Sequence, residues 1–309
     1  MDSGRDPKMN KISAHLRLMR PANILTAIAD ILAGFAISGA GVRLLEEEEA
    51  SVSLLNPLMW LIFATIGLYG GGIVFNDVFD AELDRKERPE RPIPSGSASV
   101  GSASILGGIL LLAGILSAWQ VSEISGIIAL AIAILAMVYN YWGKHSTVVG
   151  PVNMGLCRGG NLLLGMSVVP AILQDLWYIA FLPIAYISAI TMLSRGEVHG
   201  GNKKTIIAGA IMYGIVILAV AVLAFLSIIP WWQTLPFVLL FSFLIFRPLL
   251  NALREQKPQL IRKAIKAGVL SLIVFDASLA TVFAGWIYGL LVLLLLPLSQ
   301  VIARKFSVT

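Results

Sequence analysis

Apolar stretches of about twenty residues alternate with short polar blocks along almost the whole chain. They run at about 22–40, 54–79, 98–119, 124–142, 148–172, 176–193, 205–228 and 231–250, followed by one long stretch at 267–303. About twenty apolar residues in a helix span the hydrocarbon core of a bilayer. The pattern therefore predicts an all-α, polytopic transmembrane bundle of about nine spans, one domain over 1–309, with residues 1–20 as a polar arm. The last stretch is open to two readings: one long helix, or two of about 18 residues around positions 285–289.

The polar blocks differ in sign. Arg85, Lys86, Arg88 and Arg91, then Lys144, then Arg195, Lys203 and Lys204, then Arg254, Lys257, Arg262, Lys263 and Lys266 make every second connection basic. The connections between them are acidic or neutral: Glu46, Glu47, Glu48 and Glu49, then Glu123, Asp175 and the turn Pro230-Trp231-Trp232. Basic loops stay on the cytoplasmic side, so the arm and the first of these loops are expected there. Four consecutive glutamates cannot share one helix face, and 46–49 read as a solvated outer loop rather than a metal site.

Composition narrows the class. Of the 309 residues 57% are hydrophobic and 13% charged, and the mean hydropathy is +0.84. Soluble domains carry roughly 25% charged residues, so a soluble multi-domain protein is excluded. The net charge of +5 lies in loop patches and sets membrane orientation; nucleic-acid binding is not expected. Cys157 is the single cysteine, so no intramolecular disulfide forms. The basic N-terminus lacks a convincing cleavage site and reads as a cytoplasmic arm rather than a signal peptide. No nucleophile elbow, phosphate loop or zinc motif stands out.

The segment Asn76-Asp77-Val78-Phe79-Asp80-Ala81-Glu82-Leu83-Asp84 closes the second span. At ~100° per residue, Asn76, Asp80 and Asp84 fall on one helical stripe and Asp77 about a quarter-turn aside. Oxygen ligands at a helix end suit Mg²⁺, which is held by one or two carboxylates together with substrate phosphates. A solvated charged loop is the competing reading. Against it, the motif directly follows the apolar run 70–75, where polar groups are costly and usually functional. Arg88 and Arg91 could complement phosphate oxygens, although the positive-inside rule also accounts for them.

With the following Arg91-Pro92-Ile93-Pro94-Ser95-Gly96, this segment resembles the first signature of the UbiA family of intramembrane prenyltransferases. The Arg20-Pro21-x-Asn23 opening of the first span, the Tyr139-x-Tyr141-x-x-Lys144 end of the fourth and the span count extend the resemblance over nearly the whole chain. The resemblance implies a helical bundle around a central cavity, in which Mg²⁺ grips an isoprenoid diphosphate whose prenyl group passes to a lipophilic acceptor. It implies metal ligation by Asn76, Asp80 and Asp84, and diphosphate contact by Lys144. Departing negative charge would be stabilised by metal and cationic side chains, and the allylic cation by aromatic faces in a dry cavity.

The second signature, Asp-x-x-Gly-Asp or a close variant, is expected after the sixth span. Here the chain has Ser194-Arg195-Gly196-Glu197-Val198-His199-Gly200-Gly201. Glu197 stands in for the first carboxylate, while Gly201 occupies the position of the second. His199 either carries charge toward phosphate or is an interfacial loop histidine; imidazole is a poor ligand for hard Mg²⁺. The wording of Leu68-Tyr69-Gly70-Gly71-Gly72, of Gly155-Leu156-Cys157-Arg158-Gly159-Gly160-Asn161 and of 194–201 resembles the UbiA-like branch called EboC. That branch accompanies secondary-metabolite genes and is associated with precursor handling or export.

Within the spans, Arg158 must find water, phosphate or a carboxylate. With Asn161 it is read as cavity-lining, whereas Asp30 and Asp276 are read as helix–helix hydrogen-bonding groups. The run 70–72 is read as permitting close helix packing. The expected diphosphate contacts are Arg88, Arg91, Lys144, Arg158 and Arg195; the metal ligands Asn76, Asp80, Asp84 and Glu197; the acceptor or cavity residues Asn23, Asn161 and His199. Asp80, Asp84 and Lys144 are the expected catalytic groups. The expected activity is Mg²⁺-dependent prenyl transfer in a bacterial cytoplasmic membrane, with the active face toward the cytoplasm. The alternative is a prenyl-lipid or precursor binder or transporter without efficient transfer.

Overall fold

The computed structural model describes residues 10–194 and 203–305. Arg195, Glu197, His199 and Gly201, which carry the second signature, lie outside the described residues. The chain is a helical bundle: α1 (Lys11–Leu18), α2 (Pro21–Ile37), α3 (Ala40–Glu46), α4 (Glu48–Phe79), α5 (Ala81–Glu87), α6 (Val100–Trp119), α7 (Glu123–Tyr141), α8 (Val149–Met166), α9 (Pro170–Leu176), α10 (Phe181–Ser194), α11 (Lys203–Leu226), α12 (Leu235–Glu255), α13 (Pro258–Leu293) and α14 (Leu295–Lys305).

On α6, large apolar residues face outward and small ones inward, an arrangement suited to a helix in lipid rather than in water. On α6, Ile105, Ile109, Leu112 and Leu116 are exposed at helical spacing, while Ala103, Gly107, Gly114 and Ala118 are buried. The small residues let backbones approach: a Cβ on Gly67 would come within 2.8 Å of Gly114 on α6. Likewise a Cβ on Gly71 would meet the Gly107 carbonyl at 2.9 Å. Gly71 thus packs against α6, and Gly72 lines the cavity described below.

Among the described residues, seven helical stretches are long and apolar enough to cross a membrane, or eight when α1 and α2, bent by 42°, count as one. The chain is an integral membrane protein. Two further segments fall outside that criterion for physical reasons. The polar residues Asn153, Arg158 and Asn161 interrupt α8, yet all three are buried. The last stretch, Pro258–Arg304, reaches 47 residues because it is two legs. Gly285, at φ 80°, breaks the helix, a conformation open to glycine. Gly289 then lies against Thr281 and Ala277 of the preceding leg. The Tyr288 hydroxyl donates to the Leu32 carbonyl near the end of α2, and Ser299 to Ala22 near its start. The second leg therefore runs back alongside α2, which decides between the two readings of 267–303.

Successive helices pack side by side from α4 through α6, α7, α8, α10, α11 and α12 to α13. α2 closes the bundle, packing on α4, α8, α13 and α14. The core divides into one cluster around Tyr186, Tyr213, Phe241 and Phe275 and another around Phe35, Leu61, Leu68 and Ile273. Glu46, Glu47, Glu48 and Glu49 are exposed at the break between α3 and α4, with Glu47 paired to Arg43.

Candidate active site

Arg20 sits between α1 and α2 in the left-handed region (φ 47°), uncommon for a residue with a side chain. Pro21 follows as the first residue of α2, where its missing N–H is no loss. The resulting bend brings the Arg20 guanidinium to Asp77, to which it donates at 2.8 Å. Arg91 reaches from the loop between α5 and α6 to Asp84 at 2.6 Å and Asp77 at 3.4 Å. Lys144, on the short 3₁₀ turn after α7, donates to Asp80 at 2.5 Å. Three carboxylates at the junction of α4 and α5 are thus each held by a cation from another element.

The stripe of Asn76, Asp80 and Asp84 is not assembled at one point. α4 stops at Phe79, and Asp80 caps it with φ −89° and ψ 2°, so α5 does not continue the same helical path. Asp84 instead joins Asp77 under Arg91. Asn76 donates to Asn140 at 3.1 Å, and Asn140 to the Gly72 carbonyl at 2.8 Å.

Next to this cluster a cavity of about 290 Å³ opens between α2, α4, α7 and α8. Its α4 wall is Thr65, Leu68, Tyr69, Gly72, Ile73 and Asn76, one stripe at three- and four-residue spacing that rises about 16 Å. Arg20 and Asn23 border it from α2, Tyr139 and Asn140 from α7, and Cys157, Arg158 and Asn161 from α8. The expected residues Asn23, Asn76, Arg158 and Asn161 therefore meet on one cavity. Arg88 is exposed, and Arg91 is buried in its pairing with Asp77 and Asp84.

Arg158 is also paired. It donates to Asp30 at 2.6 Å and to Thr26 at 2.5 Å, with its guanidinium 4.9 Å from the Tyr69 ring centre. Asn161 donates to Asp30 at 2.9 Å and to the Ala27 carbonyl at 2.8 Å. Asp30 thus does link helices, as expected. Asp276, expected to do the same, has no hydrogen-bond donor among the described residues.

The donor set at the α4 end fits Mg²⁺. Asp80 and Asn76 offer hard oxygen donors and are joined through the Asp80 N–H to Asn76 carbonyl bond of 3.0 Å. Among the described residues no three carboxylate, histidine or cysteine side chains form a ready metal cage. A site of one or two protein ligands completed by phosphate oxygens is the habit of this ion. Sequence reasoning set Asp77 aside and gave no role to Asn140 or Tyr69; Arg20 entered only through a motif. Their partners lie 57 to 89 residues away.

The chain is 35% identical over 182 residues to digeranylgeranylglyceryl phosphate synthase of Methanothrix thermoacetophila, covering 58% of this chain and 61% of that protein. It is 29% identical to the protein of the same name from Methanoculleus marisnigri, over 72% of this chain and 79% of that one. For several other relatives of that name the chain spans about half their length. In three dimensions it is similar to a UbiA homologue from Archaeoglobus fulgidus bound to GPP and Mg²⁺ (TM-score 0.64, 18% identity, covering 90% of this chain and 99% of that one). It is also similar to a structure described as digeranylgeranylglyceryl phosphate synthase (TM-score 0.61, 21% identity, 89% and 99% covered). The UbiA prenyltransferase family profile matches residues 31–265. A helical bundle of this fold, matched by the family profile over three quarters of its length, belongs to the UbiA prenyltransferase family, whose members transfer alkyl groups other than methyl.

Proposed function

We propose that the chain transfers a prenyl group from an isoprenoid diphosphate to a lipophilic acceptor with the help of Mg²⁺. The observation that carries this reading is the set of three carboxylates, each ion-paired, beside a largely apolar cavity. Asp80 and Asn76 would hold Mg²⁺, which when bound draws charge from the departing diphosphate. Lys144 would take up diphosphate oxygens as its partner Asp80 turns to the metal, and Arg20, held by Asp77 at the cavity edge, is a second cation for them. Arg91, clamped between Asp77 and Asp84, keeps the end of α4 and the start of α5 in register. Tyr69 and Tyr139 line the cavity, where their rings would favour a developing allylic cation. The apolar wall of Leu68, Ile73, Ile132 and Ala136 keeps water from that cation. Arg195, Glu197 and His199 would supply the second anion- and metal-binding set.

Membranes containing the protein, given labelled prenyl diphosphate and a panel of aromatic and lipid acceptors, test this reading. The names of the relatives make a lipid glyceryl phosphate the first acceptor to try. Label should enter an organic-soluble product with Mg²⁺ and not after chelation. The second reading is an EboC-like binder or carrier of a prenylated precursor, favoured by Gly201 standing at an expected carboxylate. Mg²⁺-dependent diphosphate binding without transfer to any acceptor would select it.

The active face is proposed to lie toward the cytoplasm of a bacterial cell, since Arg85, Lys86 and Arg88 flank the Asp80 end. Cysteines placed at Glu47 and Glu87 in a Cys157-free background test it. Labelling of position 87 from outside intact cells would reverse the orientation.

A further inference from the structure

Among the described residues, three carboxylate oxygens at the crossing of α2, α8 and α13 have no donor: Asp30 Oδ1 and both oxygens of Asp276. Both residues are 0% exposed. Their carboxyls lie within hydrogen-bonding reach of one another once one of them is protonated. The remaining charge at the crossing is a single guanidinium, Arg158, which already gives two hydrogen bonds, to Asp30 and Thr26. From α10 Tyr186 lies near Asp276, but its hydroxyl donates to the Gly268 carbonyl at 2.8 Å. Tyr213 on α11 packs its ring, tilted, against that of Tyr186, and its hydroxyl has no partner among the described residues. Tyr69 on α4 meets the group only through the face it offers Arg158. Two carboxylates against one guanidinium would leave an uncompensated negative charge in the bundle interior, where ionised groups must be paired.

We propose that Asp30 and Asp276 form a proton-binding site, holding one proton between them and making a neutral group with Arg158. The proton supplies the donor that the three oxygens lack, and it brings two carboxyls and one guanidinium to zero net charge. A metal cation is a poorer occupant. It would need about six oxygens, whereas three orphaned carboxylate oxygens meet here. Because Arg158 borders the cavity, the shared proton also fixes the charge that the inner end of the cavity presents. The site is separate from the Asp80 cluster, and its occupancy does not depend on which substrate the cavity takes.

Infrared difference spectra of the purified protein in H₂O and D₂O at neutral pH test the proposal. The native protein should show the carbonyl stretch of a protonated carboxylic acid. That band should disappear in both Asp276→Asn and Asp30→Asn, since each variant leaves one carboxylate to balance Arg158. Absence of the band from the native protein, a measurement that needs no variant to fold, would overturn the proposal. So would a band unchanged in Asp276→Asn. A sodium-dependent rise in melting temperature of the native protein, abolished in Asp276→Asn, would also overturn it and assign the site to a metal cation.

Discussion

Two ionic clusters border one cavity, and they differ in how firmly their charges are committed. At the Asp80 end, Asp80 and Lys144 keep side-chain exposures of 19% and 12%, and Arg20 keeps 21%. At the inner end Asp30 is fully buried and Arg158 nearly so. A partly exposed pair can exchange its partner for a ligand at modest cost, because water and ligand compensate the separated charges. A buried pair cannot be opened without stranding a charge. The same chemical pairing, carboxylate with cation, is therefore open to exchange at one end and fixed as scaffold at the other.

The sharpest way to break this comparison is to remove the exposed carboxylate. Asp80→Ala should lower turnover and Mg²⁺-dependent diphosphate binding by roughly 10²–10³-fold, while the melting temperature in detergent changes little. Wild-type turnover would deny the Asp80 end its role in binding. Arg158→Leu should do the opposite, costing on the order of 3 kcal/mol of stability as read by thermal unfolding. Arg158→Lys should rescue little of it, because an ammonium cannot reproduce the paired donors and the contact with Tyr69. An Arg158→Leu protein as stable as the parent would put the inner cluster on the same footing as the outer one.

Asp77 stands between the two, nearly buried yet beside the exposed end. Asp77→Asn should weaken diphosphate binding by about tenfold through misplacement of Arg20, with a stability loss of about 1 kcal/mol. An effect as large as that of Asp80→Ala would make Asp77 a direct ligand. The smallest effect is expected from Gly201→Asp, which restores a carboxylate four residues after Glu197, on one face if the segment is helical. Apparent Mg²⁺ affinity in diphosphate binding should rise a few-fold, as judged by titration. No change in a well-expressed Gly201→Asp protein would favour the binder reading over the transferase one.

The class of fold was legible because lipid imposes a long, simple pattern: apolar stretches of fixed length and loops of alternating sign. The four-residue spacing of Asn76 and Asp80 was legible for the same local reason. Asp84 sits with Asp77 under Arg91 because the helix on which that spacing rests ends at Asp80. The last stretch looked ambiguous because both of its legs are apolar; only the backbone of Gly285 and the packing of Tyr288 and Ser299 on α2 separate them.

What the sequence determined by itself, then, is set by neighbours within a few residues and by the bilayer: that the chain crosses a membrane many times, where its polar loops fall, and that a cluster of carboxylates closes the second span. Tertiary structure alone decided which cation answers each carboxylate. Arg20 meets Asp77 across 57 residues, Lys144 meets Asp80 across 64, and Arg158 meets Asp30 across 128. Helical periodicity says which side of a helix a residue occupies, but not which helix lies opposite. Charge pairing inside a bundle is decided by that second fact, because a buried charge must be answered by whatever partner the packing of other helices brings within a few ångströms.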